Sequence, residues 1–127
     1  MARILVVDDD ELVRVSVAGI LSRAGHQVET AEDGEAALGR HRAARFDLVV
    51  TDIVMPRMEG LETVRALRGD RSRVKIVAIS GCERRGSEFY LTAARALGAD
   101  QVLVKPFTGA ELRAAVDRAL YLPAAVS

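Results

Sequence analysis

Four short, almost uninterrupted apolar runs punctuate the chain: Ile4-Leu5-Val6-Val7, Leu48-Val49-Val50, Ile76-Val77-Ala78-Ile79 and Val102-Leu103-Val104. Runs of this kind suit strands covered on both faces. A fifth segment, Gln27-Val28-Glu29-Thr30-Ala31, alternates instead and predicts a half-exposed edge strand, second in sequence. Between the runs the period turns helical. Val13, Val17, Ile20, Leu21 and Ala24 fall at i, i+4, i+7, i+8 and i+11, and Gly25 supplies a stop. Thr108-Gly109-Ala110-Glu111 has the spacing of a capping box and opens a helix with Leu112, Val116, Ala119 and Leu120 on one face. Helices of similar length are predicted near residues 34–44, 59–68 and 88–97, with Gly69 and Gly98 just past two of them.

The order is strand then helix, five times over. Such alternation predicts an α/β fold: a doubly wound five-stranded parallel sheet with helices on both faces, joined by right-handed crossovers. At 127 residues, half of them hydrophobic, residues 1–127 read as a single domain able to bury a core. The tail from Tyr121 to Ser127 is too short to be a DNA-binding module. Eighteen basic residues balance eighteen acidic ones, so no global positive field draws the chain to nucleic acid or to an anionic membrane, and neither is expected as a direct partner. The lone Cys82 has no internal disulfide partner, and Met1-Ala2-Arg3 leads straight into a strand with no signal peptide. No apolar run nears the ~18 residues of a membrane span. A reducing, cytoplasmic setting is expected.

In doubly wound sheets ligands bind beyond the carboxyl ends of the strands, where strand order reverses. The residues leaving the strands there are Asp8-Asp9-Asp10, Asp52, Ser80-Gly81 and Lys105-Pro106. Carboxylates brought together repel, so a divalent cation and the one Lys are the natural compensation. All-oxygen ligands select magnesium, with manganese possible, over zinc. An aspartate beside a hard cation can attack phosphorus while the metal and a Lys neutralise the phosphoryl oxygens, which makes Asp52 the candidate phosphoacceptor. Ser80 has a hydroxyl to offer one phosphoryl oxygen, and Gly81 lets the backbone come close.

With these residues in view, Ile4-Leu5-Val6-Val7-Asp8-Asp9, Asp52-Ile53-Val54-Met55-Pro56, Ser80-Gly81 and Val104-Lys105-Pro106-Phe107 make the chain resemble the response-regulator receiver family end to end. The resemblance implies a flavodoxin-like (βα)5 sheet of strand order 2-1-3-4-5. It implies a phosphoryl group taken by Asp52 from a histidine kinase or phosphotransfer protein. Asp9, Asp52 and the backbone carbonyl of Val54 would hold magnesium, with Asp8 acting through water. Lys105, Ser80, Gly81 and Ile53 would form the phosphoryl contacts and switch, and the Lys105-Pro106 bond is commonly cis in the family. The protein would not be a turnover enzyme, its chemistry being self-phosphorylation and autodephosphorylation at Asp52. A downstream protein would read the last helices and strand, from a monomer or weak dimer.

Three departures from the family pattern stand out. The aromatic expected three positions before the Lys is Val102, so readout is expected to run through Ser80, loop movement or repacking of the fourth helix. The Ser80–Lys105 stretch is a few residues long, the excess falling in the polar segment from Gly81 to Ser87. Val54 and Cys82, beside the path of the hydrolytic water, orient water poorly, and a long phosphoryl lifetime is expected. Asp10 is assigned to capping the first helix, Cys82 to a passive role, His26 and His41 to the surface or a helix flank, and Arg57, Arg65, Arg68, Arg71 and Arg73 to a solvated face. The competing functions are a phosphorylation-independent interaction domain and an Asp-nucleophile phosphatase, for which Asp8 and Asp10 have the bare spacing. A flavodoxin-type cofactor binder is disfavoured by 4% aromatics and no Trp.

Overall fold

The computed structural model describes residues 1–53, 60–69, 73–81 and 87–121, without side chains over 87–91. Its elements alternate throughout: β1 (Arg3–Val7), α1 (Glu11–Arg23), β2 (Gln27–Ala31), α2 (Gly34–Ala43), β3 (Leu48–Asp52), α3 (Gly60–Gly69), β4 (Lys75–Gly81), α4 (Ser87–Leu97), β5 (Gln101–Lys105) and α5 (Gly109–Tyr121). The strands form one parallel sheet in the order β2-β1-β3-β4-β5, as expected.

Because strand side chains alternate between faces, each apolar run feeds two cores. Leu5, Val7, Val49, Ile76 and Ala78 meet Ala37, Leu38, Val64, Leu67 and Ala94 from α2, α3 and α4. Ile4, Val6, Leu48, Val50, Val77, Ile79 and Leu103 meet Val17, Leu21, Leu112, Val116 and Ala119 from α1 and α5. Each fully buried Leu or Ile contributes about 2 kcal/mol by leaving water. β2 lies at one edge and is half open, as its alternation predicts.

β5 differs from its expectation. Its apolar run predicts cover on both faces, yet only Leu103 is buried, and Val104 is 37% exposed. The reason is topological: β5 is the other edge strand, paired only with β4.

Local chemistry closes the elements where the spacing says it should. Asp10 caps α1, its carboxylate accepting from the Leu12 and Val13 amides at 2.9 and 3.4 Å. Thr108 and Glu111 exchange reciprocal bonds, each 3.0 Å, at the start of α5. Gly25 follows α1 with a φ of 97°, a left-handed conformation that costs Gly little.

Candidate functional site

The chain leaves β1 for α1 on one face and β3 for α3 on the other. Between those neighbouring strands lies the point where strand order reverses, and Asp8, Asp9 and Asp52 stand there. Carboxylate oxygens of the three lie within 4.8 Å of one another. Asp8 and Asp52 are buried and Asp9 is exposed. From β5, the Lys105 ammonium sits 3.1 Å from Asp52 Oδ2 and 3.6 Å from Asp8 Oδ2. Register explains the convergence: Asp52 pairs with Ile79, one residue before Ser80, and Gly81 pairs with Lys105.

Asp8 is held at its amide, its carbonyl and its carboxylate. Its N–H donates to the Ala31 carbonyl at 3.2 Å, its Oδ1 accepts from the Asp10 amide at 2.9 Å, and its carbonyl accepts from Arg14 Nη1 at 2.8 Å. Burial pushes its carboxyl above the ordinary range; the Asp10 amide and Lys105 oppose this, while Asp52 and Asp9 add to it. Burial works against the Lys105 charge too, but Asp52 and Asp8 together override it and hold its pKa above the ordinary 10.5. Three carboxylates facing one ammonium make an electron-rich, all-oxygen donor set. A hard divalent ion is suited to such oxygens, because it would relieve the repulsion between carboxylates brought together. The residues present therefore fit magnesium or manganese.

The remaining expected residues are placed as follows. Ser80 is buried one residue before the end of β4, next to Ile79, the register partner of Asp52, and Gly81 closes that strand half-exposed. Ile53 is fully buried with its N–H donated to the Ile79 carbonyl at 3.0 Å, so its amide belongs to the sheet rather than to a ligand. Val102 packs half-buried against the core shared with α2, α3 and α4. Lys105-Pro106 is cis. Val54, Cys82, Arg57, Arg71 and most of the long segment after Gly81 lie outside the described residues. Asp10, needed by the phosphatase alternative, has its carboxylate turned to the α1 amides.

His41 lies in the last turn of α2, so of its two expected places the helix flank holds and the surface does not: it is buried, its Nδ1 accepts from the Phe46 amide at 3.2 Å, and its ring lies against Phe46 at 6.3 Å between centroids. Arg68 is not simply solvated, because it donates to the Gly98 carbonyl at 2.9 Å, to the Val74 carbonyl and to Asp100 at 2.7 Å. Sequence reasoning also missed Gly60. A methyl there would lie 2.1 Å from the Asp52 carbonyl oxygen and from Ile53 Cα, so only Gly lets α3 begin against the backbone of Asp52 and Ile53. Its place eight residues after Asp52 at a helix start was the available signal.

The geometry has counterparts in known proteins. A family model described as the response regulator receiver domain matches residues 4–117. Response regulator MprA of Mycobacterium tuberculosis is 44% identical over 112 residues, covering 88% of this chain and 47% of that protein. The crystal structure of the receiver domain of NtrX from Brucella abortus superposes with a TM-score of 0.87 at 34% identity, covering 94% of this chain and 99% of that one. Chemotaxis protein CheY4 of Vibrio cholerae gives a TM-score of 0.84 at 37% identity, with 94% and 99% covered. The chain spans about half the length of the curated relatives it matches.

Proposed function

The chain belongs to the response regulator receiver family, and on that premise we propose that Asp52 accepts a phosphoryl group from a histidine kinase or histidine phosphotransfer protein. One observation carries the reading. Asp52 ends β3 inside a carboxylate cluster with Asp8 and Asp9, and Lys105 is in contact with it at 3.1 Å.

A carboxylate oxygen of Asp52 attacks phosphorus in line and the bond to the donor's imidazole nitrogen breaks, the electron pair returning to that nitrogen; the ring leaves as a neutral imidazole because its other nitrogen carries a proton in the donor, and an acyl phosphate remains on Asp52. Lys105 transfers its contact from the carboxylate to a phosphoryl oxygen, and the Ser80 hydroxyl donates to another. Gly81 keeps the backbone beside them unobstructed. Asp9, Asp52 and the Val54 carbonyl would hold magnesium directly, and Asp8 through water. Held there, magnesium would neutralise part of the phosphoryl charge. The product favours a second conformation only through contacts that differ between the two states, here those of Lys105 and Ser80. With Val102 in the aromatic position, the change passes through Ser80 and the segment after it to α4, β5 and α5, where a protein target reads it. Freedom from direct nucleic-acid contact is proposed of residues 1–127 alone, as is the cytoplasmic setting; among the described residues no helix is long and apolar enough to cross a membrane.

Incubation with magnesium and acetyl phosphate, followed by intact mass, tests the proposal. One added phosphate is expected, lost in Asp52→Asn; no adduct on the parent chain overturns it. The adduct is expected to be long-lived, and decay within a few seconds at neutral pH would count against the roles given to Val54 and Cys82.

A further inference from the structure

Among the carboxylates of the cluster, Asp9 is the one exposed to solvent, and no described residue donates a hydrogen bond to its side chain. Its direction is therefore set by the backbone that carries it. That backbone is held from one side by Arg14. Half-buried on α1, this residue passes its guanidinium back along the helix to the Asp8 carbonyl, with Nη1 at 2.8 Å. Its own amide is fixed on the Asp10 carbonyl at 2.9 Å. The Asp8 carbonyl belongs to the peptide plane shared with the Asp9 nitrogen, so holding that oxygen restricts the rotation that swings Asp9 towards or away from Asp8 and Asp52.

We propose that Arg14 is a positioning residue, which fixes the Asp8-Asp9 peptide so that Asp9 is presented to the cation. The inference rests on the metal and phosphoryl reading of the cluster. Arg14 acts without occupying a carboxylate oxygen, because its bond goes to a carbonyl. A planar guanidinium on a half-buried stem is suited to hold one geometry at that distance. The charge and the position of Arg14 pull in opposite directions. A positive charge near the cluster repels a cation, so if charge alone mattered, removing it would tighten magnesium. If position matters, removal loosens it.

The test is titration of the folded full chain with Mg2+ alone, beside the magnesium dependence of phosphorylation by acetyl phosphate. Arg14→Ala is expected to raise the Mg2+ dissociation constant about tenfold, the lower range for residues that orient metal ligands. The rate at saturating Mg2+ is expected to stay within about threefold of the parent, since Asp52 and Lys105 are untouched. A purely structural role would lower the thermal midpoint in EDTA and leave the dissociation constant alone. Arg14→Gln keeps two of the three methylenes but falls short of the carbonyl, so it carries the same test should Arg14→Ala fail to fold. Unchanged or tighter Mg2+ binding in these variants overturns the role of Arg14. A parent chain that binds no Mg2+ overturns the reading beneath it, which sets that failure apart.

Discussion

At the amino ends of β4 and β5, Arg68 and Asp100 form a closed arrangement. The guanidinium reaches Asp100, the Gly98 carbonyl and the Val74 carbonyl, and the same Asp100 oxygen accepts the Ile76 amide at 2.8 Å. At the carboxyl ends of the sheet, Lys105 is shared between Asp52 and Asp8, with exposed Asp9 beside them. One end matches each acceptor with a donor and ties α3, α4, β4 and β5 together. The other concentrates negative charge that one ammonium does not balance. Breaking a charge pair that is fully met costs a fold stability, whereas an excess of one sign already costs stability and is relieved when a counter-charge binds.

The contrast is sharpest in its largest expected effect. Arg68→Ala takes from Asp100 its counter-ion and from the Gly98 and Val74 carbonyls the guanidinium donor, and a loss of about 3 kcal/mol is expected in urea unfolding. Mg2+ affinity is expected to be unchanged. A loss below about 0.5 kcal/mol would break the comparison from the structural side.

Slightly smaller is the response to metal. At a hundredfold excess over its dissociation constant, Mg2+ is expected to add about 2.7 kcal/mol of stability, reversed by EDTA. Asp8→Asn is expected to lose most of that gain. In EDTA at neutral pH the same variant is expected to be more stable than the parent, by less than the Arg68 loss. The sign follows from burial: Asp8 binds its proton more tightly in the fold than in the unfolded chain. As pH rises from the unfolded value of 3.8 through the raised folded value, its ionisation therefore costs stability. Lys105 acts at the alkaline end, its contribution being complete below 10.5 and lost as pH rises through its raised folded value. Metal-free denaturation across pH checks both, and an Asp8→Asn profile parallel to the parent's at acid pH would remove Asp8 from the account.

The smallest expected effect separates neighbours. Asp10→Ala removes the α1 cap, at a cost of about 1 kcal/mol, while Mg2+ affinity is expected to change less than twofold. A larger affinity loss would place Asp10 in the cluster after all.

Much of the site was legible because each of its side chains sits where an apolar run stops. Asp8, Asp52, Ser80 and Lys105 could be aligned from their strands alone, since parallel strands bring their carboxyl ends to one edge. Arg14 and Gly60 were not legible in this way. Each acts on the backbone of another segment, and nothing in its neighbours along the chain announces the encounter.

The amino-acid sequence by itself determined the β-α alternation, the caps at Asp10 and Thr108, and the set of chemistry-bearing residues at the strand ends. These follow from periodicity, local hydrogen bonding and the cost of burying charge, all of which act over a few residues. Tertiary structure alone decided that β5 leaves Val104 open, that His41 is buried against Phe46, and that Arg68 meets Asp100 across 32 positions of chain. It also decided the 3.1 Å approach of Lys105 to Asp52 across 53 positions. Contacts of that span exist only once the sheet has set its register, because a side chain's long-range partners are chosen by where the strands bring it.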